Sequence, residues 1–364
     1  MSAFAALADA VTNDVGVQHY GSPLPEQRAL AHGTAVVDLA DRAVVALTGP
    51  DRLTWLDSIT SQAVARLAPD TSGELLVLDP TGHVEHAAGI VDDGETAWLL
   101  VDVDDAEPLA TWLLRMRFRA QVEITVREDL HVVGFVPGGS AAELVRPSVA
   151  PAWQDPWTHV SVGGWQYAHT ATHPGTERPW TEAVLTADEH AALAGALGRG
   201  VTAAGLLASE ALRIAAWRPR WSAERDERLI PHEVDWIRSA VHLDKGCYRG
   251  QETVAKVHNL GHPPRRMVML HLDGSDSVLP EPGTPVREGE KEVGTITSAA
   301  MHHELGPIAL AIVSRRVAAD AVLTISSDGT EISAAQEIVV PADAGATAEI
   351  PRITRLSRRP LKQD

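Results

Sequence analysis

Cysteine is almost missing from this sequence: 364 residues carry one, Cys247. No intramolecular disulfide can form, which points to a reducing compartment. Basic charge is also scarce. Against 49 acidic side chains stand 31 Lys and Arg, a net charge of -18. Such a body repels phosphate backbones, so DNA and general nucleic-acid binding are excluded. Long apolar runs are absent too. Asp9, Asp14, His19, Glu26 and Arg28 interrupt the N-terminal region, and no later stretch has the length of a membrane span. The expectation is a soluble, cytoplasmic chain without a signal peptide or membrane contact. Tyr and Phe number three each, against ten Trp. Trp153, Trp157, Trp165 and Trp180 crowd together, either as core packing, the favoured reading, or as rings for a heteroaromatic ligand.

The length calls for two or three cores. Over 43–47 the pattern is a short apolar strand, followed by a turn at Thr48-Gly49-Pro50-Asp51 and by Leu53, Leu56 and Ile59 at helical spacing. Strands are expected over 75–78, 84–91 and 96–101, the last two joined by a hairpin turn at Asp92-Asp93-Gly94-Glu95. Leu109, Trp112, Leu113 and Met116 form a helical stripe, and Val122, Ile124 and Val126 alternate as a strand. A second α+β unit starts with a strand over 131–136. The Pro- and Trp-rich stretch 147–157 reads as a linker or excursion. Thr186-Ala187-Asp188-Glu189 has the pattern of a helix capping box, and a further helix carries Leu206, Leu207, Leu212 and Ile214. After 263, short apolar runs between Gly, Pro and Asp turns read as a small antiparallel barrel or sandwich. The expected units are 17–130, 131–261 and 263–345, followed by a basic tail over 346–364. That tail holds Arg352, Arg355, Arg358, Arg359 and Lys362 and reads as disordered rather than as a contact for RNA or an acidic partner.

The segment richest in chemistry is Lys245-Gly246-Cys247-Tyr248-Arg249-Gly250-Gln251-Glu252. Two glycines bracket reactive side chains in a tight loop. Lys245 and Arg249 flank the sulfur, and two adjacent cations would favour its thiolate, the nucleophilic and metal-binding form. Tyr248 offers a ring, and Gln251 and Glu252 offer an amide and a carboxylate. Taken alone, a single cysteine is more often a small buried hydrophobe.

Lys245-Gly246-Cys247-Tyr248-x-Gly250-Gln251-Glu252 resembles the signature of the YgfZ family, relatives of the glycine-cleavage T-protein. Val36-Val37-Asp38-Leu39, Val45-Ala46-Leu47-Thr48-Gly49-Pro50-Asp51 and Ile59-Thr60-Ser61-Gln62 resemble the N-terminal region shared with T-proteins. Gly294-Thr295-Ile296-Thr297-Ser298 and Ile308-Ala309-Leu310-Ala311 resemble their C-terminal barrel. The likeness implies an α+β fold of three domains in a ring around a folate-sized channel: two folate-binding subdomains and an antiparallel barrel. It further implies tetrahydrofolate or a related reduced folate as the bound molecule. Cys247 would be the reactive group, with Lys245, Tyr248, Arg249, Gln251, Glu252, Arg213 and Trp217 as folate contacts. Iron–sulfur enzymes or their assembly proteins are the implied partners. A lone thiolate supplies only one of the about four ligands a cluster normally takes, so the others would come from elsewhere. The alternative is a folate-dependent aminomethyl- or methyltransferase.

Two departures bear on that alternative. T-proteins place a pterin-binding Glu where Ala215 stands, and a catalytic Asp has no counterpart in Gly82-His83-Val84-Glu85-His86 unless Glu85 replaces it. A protein other than an ordinary aminomethyltransferase is therefore expected, since that reaction needs a positioned anion beside the folate amine. No metal site is expected: His302-His303-Glu304 reads as an exposed barrel loop, and His83 and His86 as packing or surface residues. Gly163-Gly164 lacks the pattern of a dinucleotide or phosphate loop.

Overall fold

The computed structural model describes residues 2–198, 200–275, 278–327 and 329–348. The arginines of the basic tail lie outside the described residues. The first sheet is antiparallel, with spatial order Ser72–Leu78, Val84–Asp92, Thr96–Asp102, Arg42–Thr48 and Glu123–Val126. Its strands are apolar at successive positions because both faces are covered. On one face Val45, Leu47, Leu75, Ile90 and Leu99 pack with Leu56 of helix Arg52–Ile59 and with Leu109 and Leu113 of helix Ala106–Met116. On the other, Val44, Ala46, Val91, Trp98 and Leu100 meet the second sheet. The hairpin turn is pinned by Arg52, whose guanidinium donates to both oxygens of Asp92 at 2.8 Å.

The second sheet runs Trp153–Gln154, Thr181–Thr186, Leu130–Phe135, Ala35–Asp38 and Thr202–Ala204, with only the last pair parallel. Ala35–Asp38 precedes every strand of the first sheet in sequence, so the two sheets are interleaved along the chain. The stretch expected as a linker is core instead. Trp153 forms the edge strand and donates its indole N–H to the Gly73 carbonyl at 2.7 Å, joining the sheets. Its ring occupies the space over Gly89, where a Cβ would come within 2.6 Å of it. Trp180 fills the equivalent hole over Gly134, 2.3 Å from a Cβ placed there. Trp157 is buried as well. Three of the four crowded indoles therefore pack the core, and Trp165 does not. The capping box forms as read: Thr186 Oγ1 accepts from the Glu189 N–H, and the Glu189 carboxylate accepts from the Thr186 N–H.

The third part is a closed antiparallel barrel with strand order Arg265–Leu272, Gly306–Ser314, Lys291–His302, Pro285–Glu288, Leu323–Ser327 and Thr330–Ile338. Alternation sorts its residues: Val268, Leu270, Ala309 and Ala311 belong to the barrel's own core. Met267, Met269, Ile308, Leu310 and Ile312 pack against the rest of the protein. Helix Leu206–Ala215 lies between the parts, with Ala211 and Ile214 on the barrel-side core and Leu206, Ala208 and Leu212 on the sheet side. His302, expected on an exposed loop, is buried at a strand end, where its Nδ1 accepts from the Glu304 and Leu305 N–H groups. It closes a turn. Among the described residues no helix is long and apolar enough to cross a membrane.

Candidate functional site: a braced thiol loop beside an aromatic cleft

The signature loop is fixed by its ends. Gly250 has φ +82°, and a Cβ there would lie 2.7 Å from the Asp79 carbonyl, so only glycine makes this approach. It opens helix Gln251–Leu260. At the other end, the Lys245 ammonium donates to the carbonyls of Asp57, Thr60 and Gln62 at 2.5, 2.9 and 2.7 Å. Burial pushes its pKa down, against the pull of the Asp57 carboxylate. The Arg249 guanidinium pairs with Glu85 at 2.6 Å and lies 6.0 Å from the Trp112 ring centroid. Both cations expected to favour the thiolate are thus engaged by other partners. Cys247 is exposed at the tip. Their role is to hold the loop.

Behind the tip lies a cleft of about 270 Å³ walled by Trp165, Tyr248, His258, Gln251, Asp244 and Asn259. Trp165 is 46% exposed and meets the His258 ring edge-on, with centroids 5.4 Å apart. The turn at Gly163-Gly164 presents it. Gly163 has φ +76°, and a Cβ there would strike the His242 ring at 2.5 Å. His258 is oriented by the Tyr167 hydroxyl, 2.8 Å from its Nδ1. Burial lowers the His258 pKa, with Asp244 opposing. Gln251 donates its amide N–H to the Lys245 carbonyl at 3.2 Å, which leaves its Oε1 for the cleft.

A separate central cavity of about 90 Å³ is lined by Arg42, Arg178, Arg213, Arg218 and Arg220 with Asp41, Glu74, Asp102, Asp155, Glu182 and Glu210. The charges neutralise one another. Arg218 holds Glu74 at 2.7 Å and Asp155 at 3.0 Å; Arg42 holds Asp102 at 3.0 Å and Glu182 at 3.1 Å; Arg220 holds Asp41 at 2.5 Å and Asp102 at 2.8 Å. Burial disfavours the Asp102 carboxylate, yet Arg220 and Arg42 overcome it and hold its pKa far below the usual range. Arg178, with Nε unpartnered among the described residues, stacks on Trp180 at 4.5 Å.

The expected site residues are thereby divided. Tyr248 and Gln251 line the cleft and Arg213 the central cavity, and the two linings share no residue. Trp217 lies in the buried core at φ 57°, edge-on to His173 at 5.3 Å. Glu252 is exposed and Lys245 is a brace. Glu85, the possible stand-in for a catalytic Asp, is tied to Arg249. Ala215 lines neither cavity. Asp244, Asn259 and His258 were not foreseen, although Gln251 and His258, seven residues apart on one helix, share a face. Folate does not fit the central cavity. At about 90 Å³ it has a third of the cleft's volume, and ion pairs fill it. The aromatic cleft does fit a pterin: flat rings for its faces, and a carboxylate and two amides for its hydrogen-bonding edge.

Two interleaved sheets followed by a closed barrel define a T-protein-like fold. The solved glycine cleavage system aminomethyltransferase T from Bartonella henselae superposes with a TM-score of 0.72 over 92% of this chain and 94% of that one, at 17% identity. Residues 265–340 match the glycine cleavage T-protein C-terminal barrel domain family. The chain is 25% identical over 311 residues to an aminomethyltransferase of Moorella thermoacetica, covering 81% of this chain and 82% of the relative. It is 27% identical over 308 residues to one of Bordetella petrii, covering 79% of each. The protein is thus a homologue of the aminomethyltransferases and carries a T-protein C-terminal barrel.

Proposed function

We propose that this chain is a cytoplasmic, folate-binding accessory protein of the YgfZ type, using the Cys247 thiolate in iron–sulfur cluster assembly or repair. One observation carries the reading: the sole cysteine is exposed on a loop braced at both ends, beside a cleft of aromatic rings and amides. Trp165, Tyr248 and His258 would flank the pterin of a reduced folate, while Asp244, Gln251 and Asn259 would meet its edge. A reduced folate supplies a one-carbon acceptor and an oxidisable ring system. The chain's own part is to hold that molecule next to a sulfur which engages a cluster, a metal or a client as substrate. One sulfur is one ligand, so the client supplies the remainder.

The second reading, a tetrahydrofolate-dependent aminomethyltransferase, is favoured by the activity in the relatives' names. The central carboxylates are committed to arginines, which leaves Asp244 as the cleft's carboxylate for that chemistry. Titrating tetrahydrofolate against Trp fluorescence separates the possibilities. Quenching is expected, together with protection of Cys247 from alkylation, and both are lost in Trp165→Ala. In a strain lacking the protein, Cys247→Ala is expected to leave cluster-enzyme activity low; full restoration would remove the thiol from the mechanism. Methylene-folate formation at enzymatic rates, abolished by Asp244→Asn, would make the second reading the right one.

A further inference from the structure

Helix Ala106–Met116 and the turn after it end in a surface that the fold does not use. Leu109 and Leu113 are buried, but the apolar stripe breaks there: Leu114 is 50% exposed, Met116 37% and Phe118 91%. Phe118 also sits at φ 49°, a conformation that an aromatic residue adopts at a cost. Interleaved with these side chains are Arg115, Arg117 and Arg119, all exposed. Among the described residues none of the three guanidinium groups is within ion-pair distance of a carboxylate. Arg117 donates to the Val122 carbonyl at 3.4 Å, and among the described residues no carboxylate offsets the three charges.

The tip is held rigidly. Trp55 donates its indole N–H to the Met116 carbonyl at 3.1 Å, the Ala120 N–H bonds the Arg117 carbonyl at 2.8 Å, and the Gln121 N–H bonds the Asp51 carboxylate at 2.8 Å. A pinned turn carrying an aromatic anchor among arginines has the composition of a protein-interface hot spot. It also adjoins the thiol loop. Trp112, about 6 Å along the helix axis from Met116 at 1.5 Å per residue, is the ring over which Arg249 lies, two residues from Cys247.

We propose that the 114–119 tip is the docking surface for an acidic protein that presents its reacting group to Cys247, with Phe118 entering an apolar pocket on that partner. The inference rests on the thiol role given above and names the partner for it. The positive tip selects an acidic surface, and the negative body works against a nucleic acid, whose extended charge it would meet beyond the tip.

The test uses thiol–disulfide exchange on the full chain. A Glu-rich peptide whose Cys carries a thionitrobenzoate disulfide is attacked by the Cys247 thiolate. The peptide–protein disulfide forms as the disulfide of the probe breaks, and thionitrobenzoate leaves and is read by its colour. The Gln-for-Glu peptide is the neutral control. The acidic probe is expected to react about tenfold faster at low salt. The advantage should vanish in R115A/R117A/R119A, while the neutral-probe rate stays unchanged. Equal rates for the two probes in the native protein would overturn the docking assignment, whereas no reaction with either would instead remove the thiol role beneath it. With an acidic probe that also carries leucines, Phe118→Ala is expected to lower the rate severalfold, and an unchanged rate would exclude the anchor. Binding of a single-stranded oligonucleotide or of phosphatidylglycerol vesicles that depends on the three arginines, or self-association that depends on Phe118, would overturn the acidic-protein assignment.

Discussion

The central cavity and the signature loop both concentrate charge, and they use it in opposite ways. In the cavity each of the five arginines ties its guanidinium into a carboxylate outside its own element, so that the sheets and the segment 209–220 are locked together. At the loop, two cations anchor the backbone and the reactive atom is left outside the pairing. On the proposed reading, a T-protein-like frame has its middle closed by ion pairs and its chemistry displaced to one side.

The comparison breaks most readily in the middle. Arg218 is buried between Glu74 and Asp155, and Glu74 also accepts from the Trp236 indole at 3.0 Å and the Ser239 hydroxyl at 2.6 Å. Arg218→Ala would leave Glu74 buried without its cation, and Asp155 with only the longer Arg178 contact at 3.3 Å, at a cost of about 3–5 kcal/mol. Urea denaturation of the variant is expected to show a correspondingly lower midpoint with the native slope. Cys247 alkylation under native conditions should be unaffected, because the two regions share no residue.

Asp235 gives a pH-dependent version of the same contrast. It is buried at φ 56°, with Oδ1 accepting from the Tyr167 N–H at 2.9 Å and, among the described residues, no arginine within bonding distance. Burial raises its pKa to about 7, against the Tyr167 bond and Arg238. A carboxyl whose folded pKa lies above its unfolded value binds a proton more tightly when folded. It therefore removes stability as pH rises from about 4 to about 7. Asp235→Asn, which tolerates the left-handed backbone and keeps the Oδ1 acceptor, abolishes that loss. Relative to the native chain the variant is expected to gain with pH, by up to about 4 kcal/mol at pH 8. His173 and His232, whose pKa values burial lowers to about 3, act in the other direction and cost stability as pH falls below about 6.5. They are common to both proteins, so the difference between the two denaturation curves isolates Asp235. A difference that does not change with pH would show that Asp235 is already ionised in the fold.

The sheets and barrel were legible because period-two alternation, Gly turns and the Thr186–Glu189 box depend only on neighbouring residues. The signature motif likewise located the loop. What could not be read was the interleaving of Ala35–Asp38 into the later sheet, a pairing between residues about a hundred positions apart. Core packing was the favoured reading for the crowded indoles, but the seats of Trp153 and Trp180 over Gly89 and Gly134 were hidden for the same reason, since each depends on a distant pairing. The cleft was half visible, through Tyr248 and Gln251, while Trp165 and Asp244 enter it from loops that only the tertiary fold brings together.

Lys245 is where sequence adjacency misled, and it yields the smallest and sharpest test. Beside Cys247 in the chain, its ammonium reads as a charge for the sulfur. In the fold it is received by three carbonyls of residues 57–62, with the Asp57 carboxylate at 3.6 Å. Lys245→Met keeps the stem and removes the donors, leaving acceptors short of partners at a cost of about 2 kcal/mol. The freed loop should expose Cys247 more often, so native-state alkylation is expected to speed up as stability falls. An ammonium acting on the sulfur predicts the reverse, slower alkylation from a less activated thiol. Because the two roles move the same rate in opposite directions, a single alkylation time course on Lys245→Met distinguishes a brace from an activator.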